Sequence, residues 1–297
     1  MRSFALGLLA WYDATARPLP WRATSDPYAI LISEIMLQQT QAARVEPLYR
    51  AFLARFPRIE ALAAAPLGEV LSAWRGLGYN RRARSLWLAA AGVVERHGGV
   101  VPRDLAALLA LPGLGAYTAR AVLAFAYDER QGPVDTNVGR VLARAVTGRP
   151  LSRAAAQRLA DALVAEEPAA ARPAAWSHAL MDLGARVCLA RRPRCPVCPV
   201  AHDCAWRRAD GPDGPQPDPA AATATRSRPQ GRFAGSDRYH RGRLVDALRM
   251  RPLDAAEIPG AAELDDAPRL EQVVARLVAE GLAEWRDERL ALPGGTA

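Results

Sequence analysis

The sequence predicts an all-α domain followed by a small winged-helix-like module, and three observations support this. Over residues 4–205, apolar side chains recur at helical spacing between short Pro and Gly breaks, with almost no strand-like alternation. Residues 210–232 are rich in Pro, Ala and polar residues and offer little to bury. Beyond them, helical patterns at Ser236–Arg249 and Ala267–Glu280 precede two short strands within 282–292.

These patterns divide the chain into three parts. We expect a first domain over residues 1–209, a flexible linker over 210–232 and a module over 233–297. Half of the 297 residues are apolar, which is enough to bury a sizeable core. A helix pair followed by a small hairpin is typical of a winged helix.

Composition limits both the partners and the chemistry. The net charge of +8 and the pI near 9.9 favour a polyanionic partner such as DNA, although many basic proteins never bind nucleic acid. The basic residues are all arginine, so a lysine Schiff base is excluded. The N-terminus lacks the pattern of a signal peptide, and no run approaches the roughly 18 apolar residues of a membrane helix. We expect a cytoplasmic protein that is not associated with a membrane.

The four cysteines of the chain lie within seventeen residues, at Cys188, Cys195, Cys198 and Cys204. In a reducing compartment such a cluster indicates metal ligation before disulfide bonding. The spacing C-x6-C-x2-C-x5-C suits an iron-sulfur cluster, and four thiolates also suit a structural zinc ion. From spacing alone, both remain open.

A second motif is the turn Leu111-Pro-Gly-Leu-Gly115, which separates a short apolar helix from a helix over Tyr117–Tyr127. Gly113 and Gly115 permit a close backbone approach, so N–H groups at the start of the next helix can face a phosphate. An ordinary turn between helices explains the same residues. The motif therefore predicts contact with a DNA backbone only in the company of other signals.

Two carboxylates are candidates for chemistry. Glu34 lies in the strongly apolar helix pattern 28–40, either at its wet edge or in a dry pocket that would raise its pKa toward that of a general acid. Asp135 lies where a loop enters a helix, so helix capping and function are both open to it. Cleavage of a nucleoside bond needs an acid for the leaving base and a negative group beside the cationic sugar.

Residues Trp11–Cys204, about two-thirds of the chain, resemble the MutY-type adenine DNA glycosylases of the helix-hairpin-helix, iron-sulfur superfamily. The resemblance rests on the hairpin, the cysteine spacing and the segments Leu19-Pro-Trp-Arg22, Ser33-Glu-Ile-Met-Leu-Gln-Gln-Thr40, Gly76-Leu-Gly-Tyr-Asn80, Val134-Asp-Thr-Asn137 and Met181-Asp-Leu-Gly184. It implies a glycosylase domain whose loop 188–204 holds one [4Fe-4S] cluster. The cluster would fasten an arginine-rich loop and take no part in base removal.

The resemblance also assigns chemical roles. Glu34 would protonate adenine N7, and Asp135 would stabilise or transiently bond C1′ of the sugar. Tyr117 and Asn137 would arrange Glu34 and its water. Endonuclease III-like relatives place a lysine at the position of Tyr117, so this chain is expected to be monofunctional, without strand cleavage.

DNA-binding residues follow from the same likeness. Those that would probe the opposite base or wedge into the duplex are Gln38, Gln39, Thr40, Leu77 and Tyr79; each of them is also compatible with an ordinary core or surface position. Trp21 and Arg22 would line the adenine pocket. His178 stands where the family usually carries Gln or Glu, and a histidine there predicts pH-dependent binding.

The function expected is excision of adenine mispaired with 8-oxoguanine or guanine, by a monomer acting on double-stranded DNA. Two alternatives remain: a glycosylase for another mispaired or oxidised base, and a non-catalytic iron-sulfur DNA-binding regulator. The segment after Arg232 is too short for the β-rich domain with which the family recognises 8-oxoguanine. We therefore do not expect the C-terminal segment to supply full discrimination by the opposite base. Through DNA, the protein is expected to associate with the nucleoid.

Overall fold

Helices make up most of the architecture, as the sequence predicts. The structure is a computed structural model that describes residues 1–209, 216–223 and 231–294. Its α-helices are α1 Arg2–Thr15, α2 Pro27–Leu37, α3 Ala42–Arg55, α4 Ile59–Ala64, α5 Leu67–Ala73, α6 Arg81–His97, α7 Leu105–Leu109, α8 Ala116–Tyr127, α9 Thr136–Val141, α10 Arg153–Val164, α11 Pro173–Arg186, α12 Ala205–Arg208, α13 Asp237–Leu248, α14 Ile258–Ala262 and α15 Ala267–Ala279. The β-strands of the described residues, in chain order, are β1 Leu253–Asp254, β2 Glu284–Arg286 and β3 Arg289–Ala291.

The chain forms two compact units, each built from several segments. The first contains residues 1–30, 103–109 and 114–229, and the second contains 31–102, 110–113 and 230–297. Within the part of the chain that the structure describes, no helix is long and apolar enough to cross a membrane. The domain boundaries at residues 209 and 232 stay predictions.

The core of the first unit is formed by α1, α9, α10 and α11. Phe4 of α1 meets Trp176 of α11 edge to face, with ring centroids 6.1 Å apart. Both rings are fully buried, so each removes a large apolar area from water. This core carries α9 and α11, the two helices that position Asp135, Asn137 and His178.

In the second unit, α6 packs its apolar face against α4 and α5. Leu86, Ala90 and Val93 recur along α6 at helical spacing and are all fully buried. Phe52 of α3 and Trp74 complete this core with an edge-to-face contact at 5.9 Å. The segment between α5 and α6 is thereby anchored at both ends.

Residues 237–291 have the element order of a winged helix: α13, β1, α14, α15, then the β2–β3 hairpin. The strands pair antiparallel in the order β1-β3-β2, with Leu290 opposite Leu253 on one side and Trp285 on the other. Asp287 and Glu288 connect the hairpin with φ of 45° and 62°, as in a two-residue type I′ turn. The predicted winged-helix-like module is confirmed, and β1 and α14 are additions to it.

Part of the predicted linker belongs to the first unit and packs within it. Residues 216–223 include a 3₁₀ turn over Pro219–Ala222, and Asp218 forms an ion pair with Arg144 of that unit. Thr223 is buried. Linker residues 210–215 and 224–230 lie outside the described residues.

Candidate active site and cysteine loop

Glu34 lies on α2, whose first turn is capped by Asp26 through the N–H groups of Tyr28 and Ala29. Its neighbours along the helix are buried apolar residues, and Glu34 itself is 4% exposed. Of the two settings that the sequence left open, the structure shows the buried one. A carboxyl group in such surroundings is suited to deliver a proton to a base that enters the site.

Asp135 caps the N-terminus of α9. Its Oδ1 accepts from the N–H of Val138 at 2.7 Å, and its Oδ2 accepts from Asn137 Nδ2 at 2.8 Å. Burial raises the pKa of this carboxyl above its ordinary value, and the hydrogen bonds from Val138 and Asn137 partly offset that rise. Capping and a functional role therefore coexist at this residue.

Arg140 connects the hydrogen-bonded pair of Asp135 and Asn137 to the cysteine loop. Its Nη2 donates to Asn137 Oδ1 at 2.8 Å and to the carbonyl of Gly184 at 2.6 Å. Its Nε donates to the carbonyl of Cys188 at 2.7 Å. A Cβ at position 184 would lie 2.7 Å from that of Asn137, so the close approach requires glycine. Sequence analysis missed Arg140, because nothing in its pattern distinguishes it from a solvent-facing arginine.

Tyr117 lies in the first turn of α8 and is half-buried. Its hydroxyl donates to the sulfur of Met181 at 3.9 Å. Gly113 in the preceding turn has φ of 80°, and Gly115 is the N-cap of α8. Both glycines are exposed, so the N–H groups of the first turn, which have no acceptors within their own helix, are presented at an accessible helix start.

Asp182 organises the residues expected to line an adenine pocket. It is fully buried and accepts from both Arg17 and Arg22, with Arg22 Nη1 at 2.8 Å and Nη2 at 2.9 Å. Burial raises the pKa of this carboxyl, but the two guanidinium groups outweigh it and hold the pKa below its usual range. Asp182 was noticed in sequence only as part of a motif, yet it fixes the plane of Arg22. Trp21, which directly precedes Arg22 in the chain, is 5% exposed.

His178 is buried between aromatic rings. It stacks on Phe125 with centroids 4.0 Å apart and lies 6.3 Å from Tyr12. Burial and the neighbouring Arg22 lower the pKa of His178 to about 3. The ring is therefore neutral at physiological pH, and the expected pH-dependent binding through this residue is not supported by its surroundings.

Two loops carry the residues expected to probe the opposite base. We call residues 38–40 the first probing loop and residues 76–80 the second. In the first, Gln39 is exposed and has a positive φ of 57°. In the second, Tyr79 is 43% exposed whereas Leu77 is 4% exposed, so the structure presents Tyr79 and not Leu77 at the surface.

Arg82 joins the two probing loops and was also missed from sequence. It donates to the carbonyl oxygens of Ile35, Met36, Gln38, Leu77 and Gly78 and to Thr40 Oγ1, at distances of 2.6 to 3.3 Å. Burial lowers the pKa of Arg82 to about 10, so the guanidinium stays charged at neutral pH. One side chain thus fixes the spacing of the two loops.

All four cysteines are partly buried, carry free thiols and line one small cavity together with Arg144 and Trp206. Arg144 Nη1 donates to the sulfur of Cys188 at 3.4 Å and to the carbonyl of Leu189 at 2.7 Å. Burial raises the pKa of the Cys198 thiol to about 11. Among the described residues, no three His, Cys, Asp or Glu side chains are placed to hold a single metal ion.

The helical architecture, the hairpin before α8 and the four-cysteine loop define the class of helix-hairpin-helix DNA glycosylases. The family described as HhH-GPD superfamily base excision DNA repair protein matches residues 32–164. The adenine DNA glycosylase of Mycolicibacterium smegmatis is 44% identical over 291 residues, 97% of this chain and 95% of that protein. The human adenine DNA glycosylase is 42% identical over 220 residues, 69% of this chain and 40% of that protein. The chain belongs to the adenine DNA glycosylase family.

Solved structures agree with this class. A thermostable thymine-DNA glycosylase has a TM-score of 0.62 and 32% identity, over 69% of this chain and 95% of that one. An endonuclease III in a non-covalent complex with DNA has a TM-score of 0.59 over 69% of this chain and 94% of that one. Its identity is 24%, so this second likeness concerns the fold alone.

Proposed function

We propose that this chain is a monofunctional glycosylase of base excision repair that removes adenine mispaired with 8-oxoguanine or guanine. The observation that carries the proposal is Asp135, a partly buried carboxylate whose two oxygens are fixed by Asn137 and by the start of α9. Such a group is built to face a positive charge that develops in a transition state. Membership of the adenine glycosylase family supplies the base.

In the proposed reaction, Glu34 donates a proton to adenine N7, and the bond between C1′ and N9 breaks with its electron pair leaving on the base. Asp135 stabilises the resulting cationic sugar or bonds transiently to C1′, as paired carboxylates do in sugar hydrolysis. A water then adds to C1′ and gives its proton to the Glu34 carboxylate, which restores the acid. Tyr117 and Asn137 are assigned to orienting the acid and its water.

The absence of lysine from the sequence supports a single activity. Strand cleavage by the related bifunctional enzymes requires an amine that forms an imine with C1′ of the sugar. Tyr117 occupies that position here, and all 39 basic residues of the chain are arginine. The product of the reaction is an intact strand with a missing base.

We assign the four cysteines to one [4Fe-4S] cluster, because four thiols line one cavity. When bound, the cluster supplies a rigid fastening for the loop that Arg140 and Arg144 contact. A structural zinc ion is the other candidate for four thiols. Iron and sulfide in a four-to-four ratio in the purified protein support the cluster, whereas one zinc per chain would refute it.

For DNA, we assign the start of α8 at Gly113 and Gly115 to a phosphate and the pocket of Trp21, Arg22 and His178 to the extruded adenine. The two probing loops are assigned to the gap and the opposite base, with Gln38, Gln39, Thr40 and Tyr79 as their contacts. The contact expected at Leu77 is not assigned, because that side chain is buried. Removal of a base from a duplex requires such a filler. We further expect a monomer acting in the cytoplasm on double-stranded DNA.

The decisive experiment is single-turnover excision from duplexes that pair adenine with 8-oxoguanine, guanine or cytosine. We expect adenine release from the first two, loss of release in Glu34→Gln, and no product trapped by borohydride. Glu34→Gln with full activity would instead leave a non-catalytic DNA-binding protein. A trapped imine would refute the monofunctional assignment.

A second candidate is favoured by the structural likeness to a thymine-DNA glycosylase at 32% identity. The same assay therefore includes thymine opposite guanine and an oxidised pyrimidine. Release of thymine but not adenine would transfer the chain to that activity. His178 is the pocket residue to exchange for glutamine in a matched variant, since the family usually carries Gln or Glu there.

A further inference from the structure

We propose that the winged-helix module is an internal support for the second probing loop, with Arg249 as its positioning residue. The inference deepens the proposed function, on which it rests, because it concerns a loop expected to enter DNA beside the extruded base. It also gives the module a task other than binding DNA. The contacts within the second unit carry the argument.

Arg249, which follows α13, contacts the helix before the loop and the last residue of the loop. Its Nε donates to the carbonyl of Leu71 at 3.0 Å, in the helix that leads into the loop. Its Nη2 donates to Asn80 Oδ1 at 2.9 Å, at the last residue of the loop. The side chain is 5% exposed and is also paired with Asp246. One buried guanidinium from the module therefore links α5, which precedes the loop, to the last residue of the loop.

Other contacts of the module lie on both sides of the loop. Before it, the N–H of Gly68 donates to the carbonyl of Pro293 at 2.7 Å. After it, Arg81 approaches Glu280 at 3.9 Å. A Cβ at Gly281 would lie 2.8 Å from the guanidinium of Arg84, so the module also packs closely on α6. The loop is thus held from its two flanks by the same module.

The conformation of the loop needs such support. Gly76, Gly78 and Tyr79 have φ of 91°, 68° and 47°, and Tyr79 adopts the left-handed region as a non-glycine residue. Left-handed backbone at a bulky side chain is unfavourable and persists where surrounding contacts fix it. Tyr79 is also 43% exposed. Its ring is contacted by the guanidinium of Arg82 at 5.6 Å from the centroid, and its backbone position is set by the loop.

Charge argues against the module as a docking surface for DNA. Residues 231–297 contain ten arginines and twelve acidic residues, whereas residues 1–209 contain 27 and 16. On α15, which corresponds by position to the DNA-reading helix of a winged helix, Arg269 and Arg276 pair with Asp237 at 2.9 and 3.4 Å. Phosphate binding needs cations that are available to it. The module is better suited to hold its own chain.

The test compares Arg249→Met with Arg251→Met. Arg251 belongs to the same module, is exposed and pairs with Glu257, so it is a matched control for charge. The readout is single-turnover adenine excision opposite 8-oxoguanine, with 2-aminopurine fluorescence reporting base extrusion. We expect Arg249→Met to slow extrusion about tenfold, the effect of one lost charged hydrogen bond. Arg251→Met should match the wild type.

A double-mutant cycle with Tyr79→Ala separates positioning from stability. If Arg249 acts through the loop, Arg249→Met will have no further effect on extrusion once Tyr79 is removed. Arg249→Lys, which keeps the charge but cannot span both acceptors, should recover part of the rate and provides a second variant should methionine prevent folding.

Three outcomes would overturn the inference. The first is a wild-type rate of extrusion in a folded Arg249→Met protein. The second is a Tyr79→Ala/Arg249→Met double variant whose rate loss is the product of the two single losses, and the third is equal losses in Arg249→Met and Arg251→Met. The last would indicate that the charge of the module acts on DNA. Failure of the wild-type protein to release adenine would instead refute the proposed function. The two failures are therefore distinguishable.

Discussion

Two arginines organise different regions, the buried Arg144 beside the cysteine loop and the half-buried Arg82 between the probing loops. Burial alone lowers the pKa of both side chains. For Arg144, hydrogen bonds to Asp218 and Cys188 reverse the effect and raise its pKa above the usual value. Arg82 donates to carbonyl and hydroxyl oxygens, and its pKa falls to about 10. The charge of Arg144 is neutralised by a carboxylate, whereas the charge of Arg82 is stabilised mainly by backbone carbonyl dipoles.

The difference separates two kinds of positioning. Around Arg144, a carboxylate from residues 216–223 and the cysteine loop depend on one ion pair, so breaking it should destabilise the first unit. Around Arg82, the acceptors belong to two loops whose helices are anchored elsewhere, so removing the donor should mainly change the loops. Loss of the arginine should therefore change mainly stability around Arg144 and mainly loop geometry around Arg82.

The largest effect is expected at Asp135, in the region with paired charges. Asp135→Asn keeps an oxygen that can accept from Val138, so the helix cap and the fold should persist, while the negative charge beside the sugar is lost. Adenine excision should fall by about 10³-fold or more, the scale of losing a preorganised electrostatic group. Single-turnover kinetics with thermal unfolding measure both quantities. Asp13→Asn, at an exposed pair with Arg172, is the control and should keep the rate.

Arg144→Met tests the stability side of the comparison. Arg144 is 1% exposed at its side chain, so its loss leaves Asp218 without its partner and should lower the free energy of unfolding by about 3 kcal/mol. The metal content of the cysteine loop should fall as well. Arg172→Met, which breaks the exposed pair with Asp13, should cost less than about 1 kcal/mol. Equal losses of unfolding free energy in the two variants would contradict the proposed difference between the buried and the exposed ion pair.

Arg82→Met tests the other region. The methionine side chain can still pack on Trp74, but the carbonyl oxygens of both probing loops lose their hydrogen-bond donor. We expect base extrusion to slow about tenfold while the metal content stays at the wild-type value. Arg82→Lys should be intermediate, because three ammonium hydrogens cannot serve six acceptors. Loss of metal in Arg82→Met would show that the two regions are not separable.

Much of the fold and several candidate site residues could be predicted from the sequence, because they depend on patterns of residues that are close together in the chain. Helical spacing gave the helices and the winged-helix-like module, and motif spacing gave the cysteine loop and the two carboxylates. The arginine contacts could not be predicted, since Arg82, Arg140 and Arg144 collect acceptors from segments distant in the chain. Leu77 and Tyr79 share one motif, and only the folded loop shows that Leu77 turns inward. Strand β1 escaped notice because two residues form no periodicity.

The smallest expected effect concerns pH and contrasts His178 with Asn137. Asp135 must be ionised to stabilise the sugar cation, and its raised pKa means that excision is lost, as pH falls, at a higher pH than for an ordinary aspartate. Asn137→Ala removes a hydrogen bond that favours the ionised form, so the acid limb of the rate should move to still higher pH.

His178→Gln should leave that acid limb unchanged. Because the pKa of His178 is about 3, the ring is neutral over the whole range in which the rate is measured, and its replacement removes no titration. Rate profiles of the wild type and both variants from pH 5 to 9 on one substrate provide the comparison. A limb that moves with His178→Gln but not with Asn137→Ala would place the titrating group in the adenine pocket and not at the carboxylate of α9.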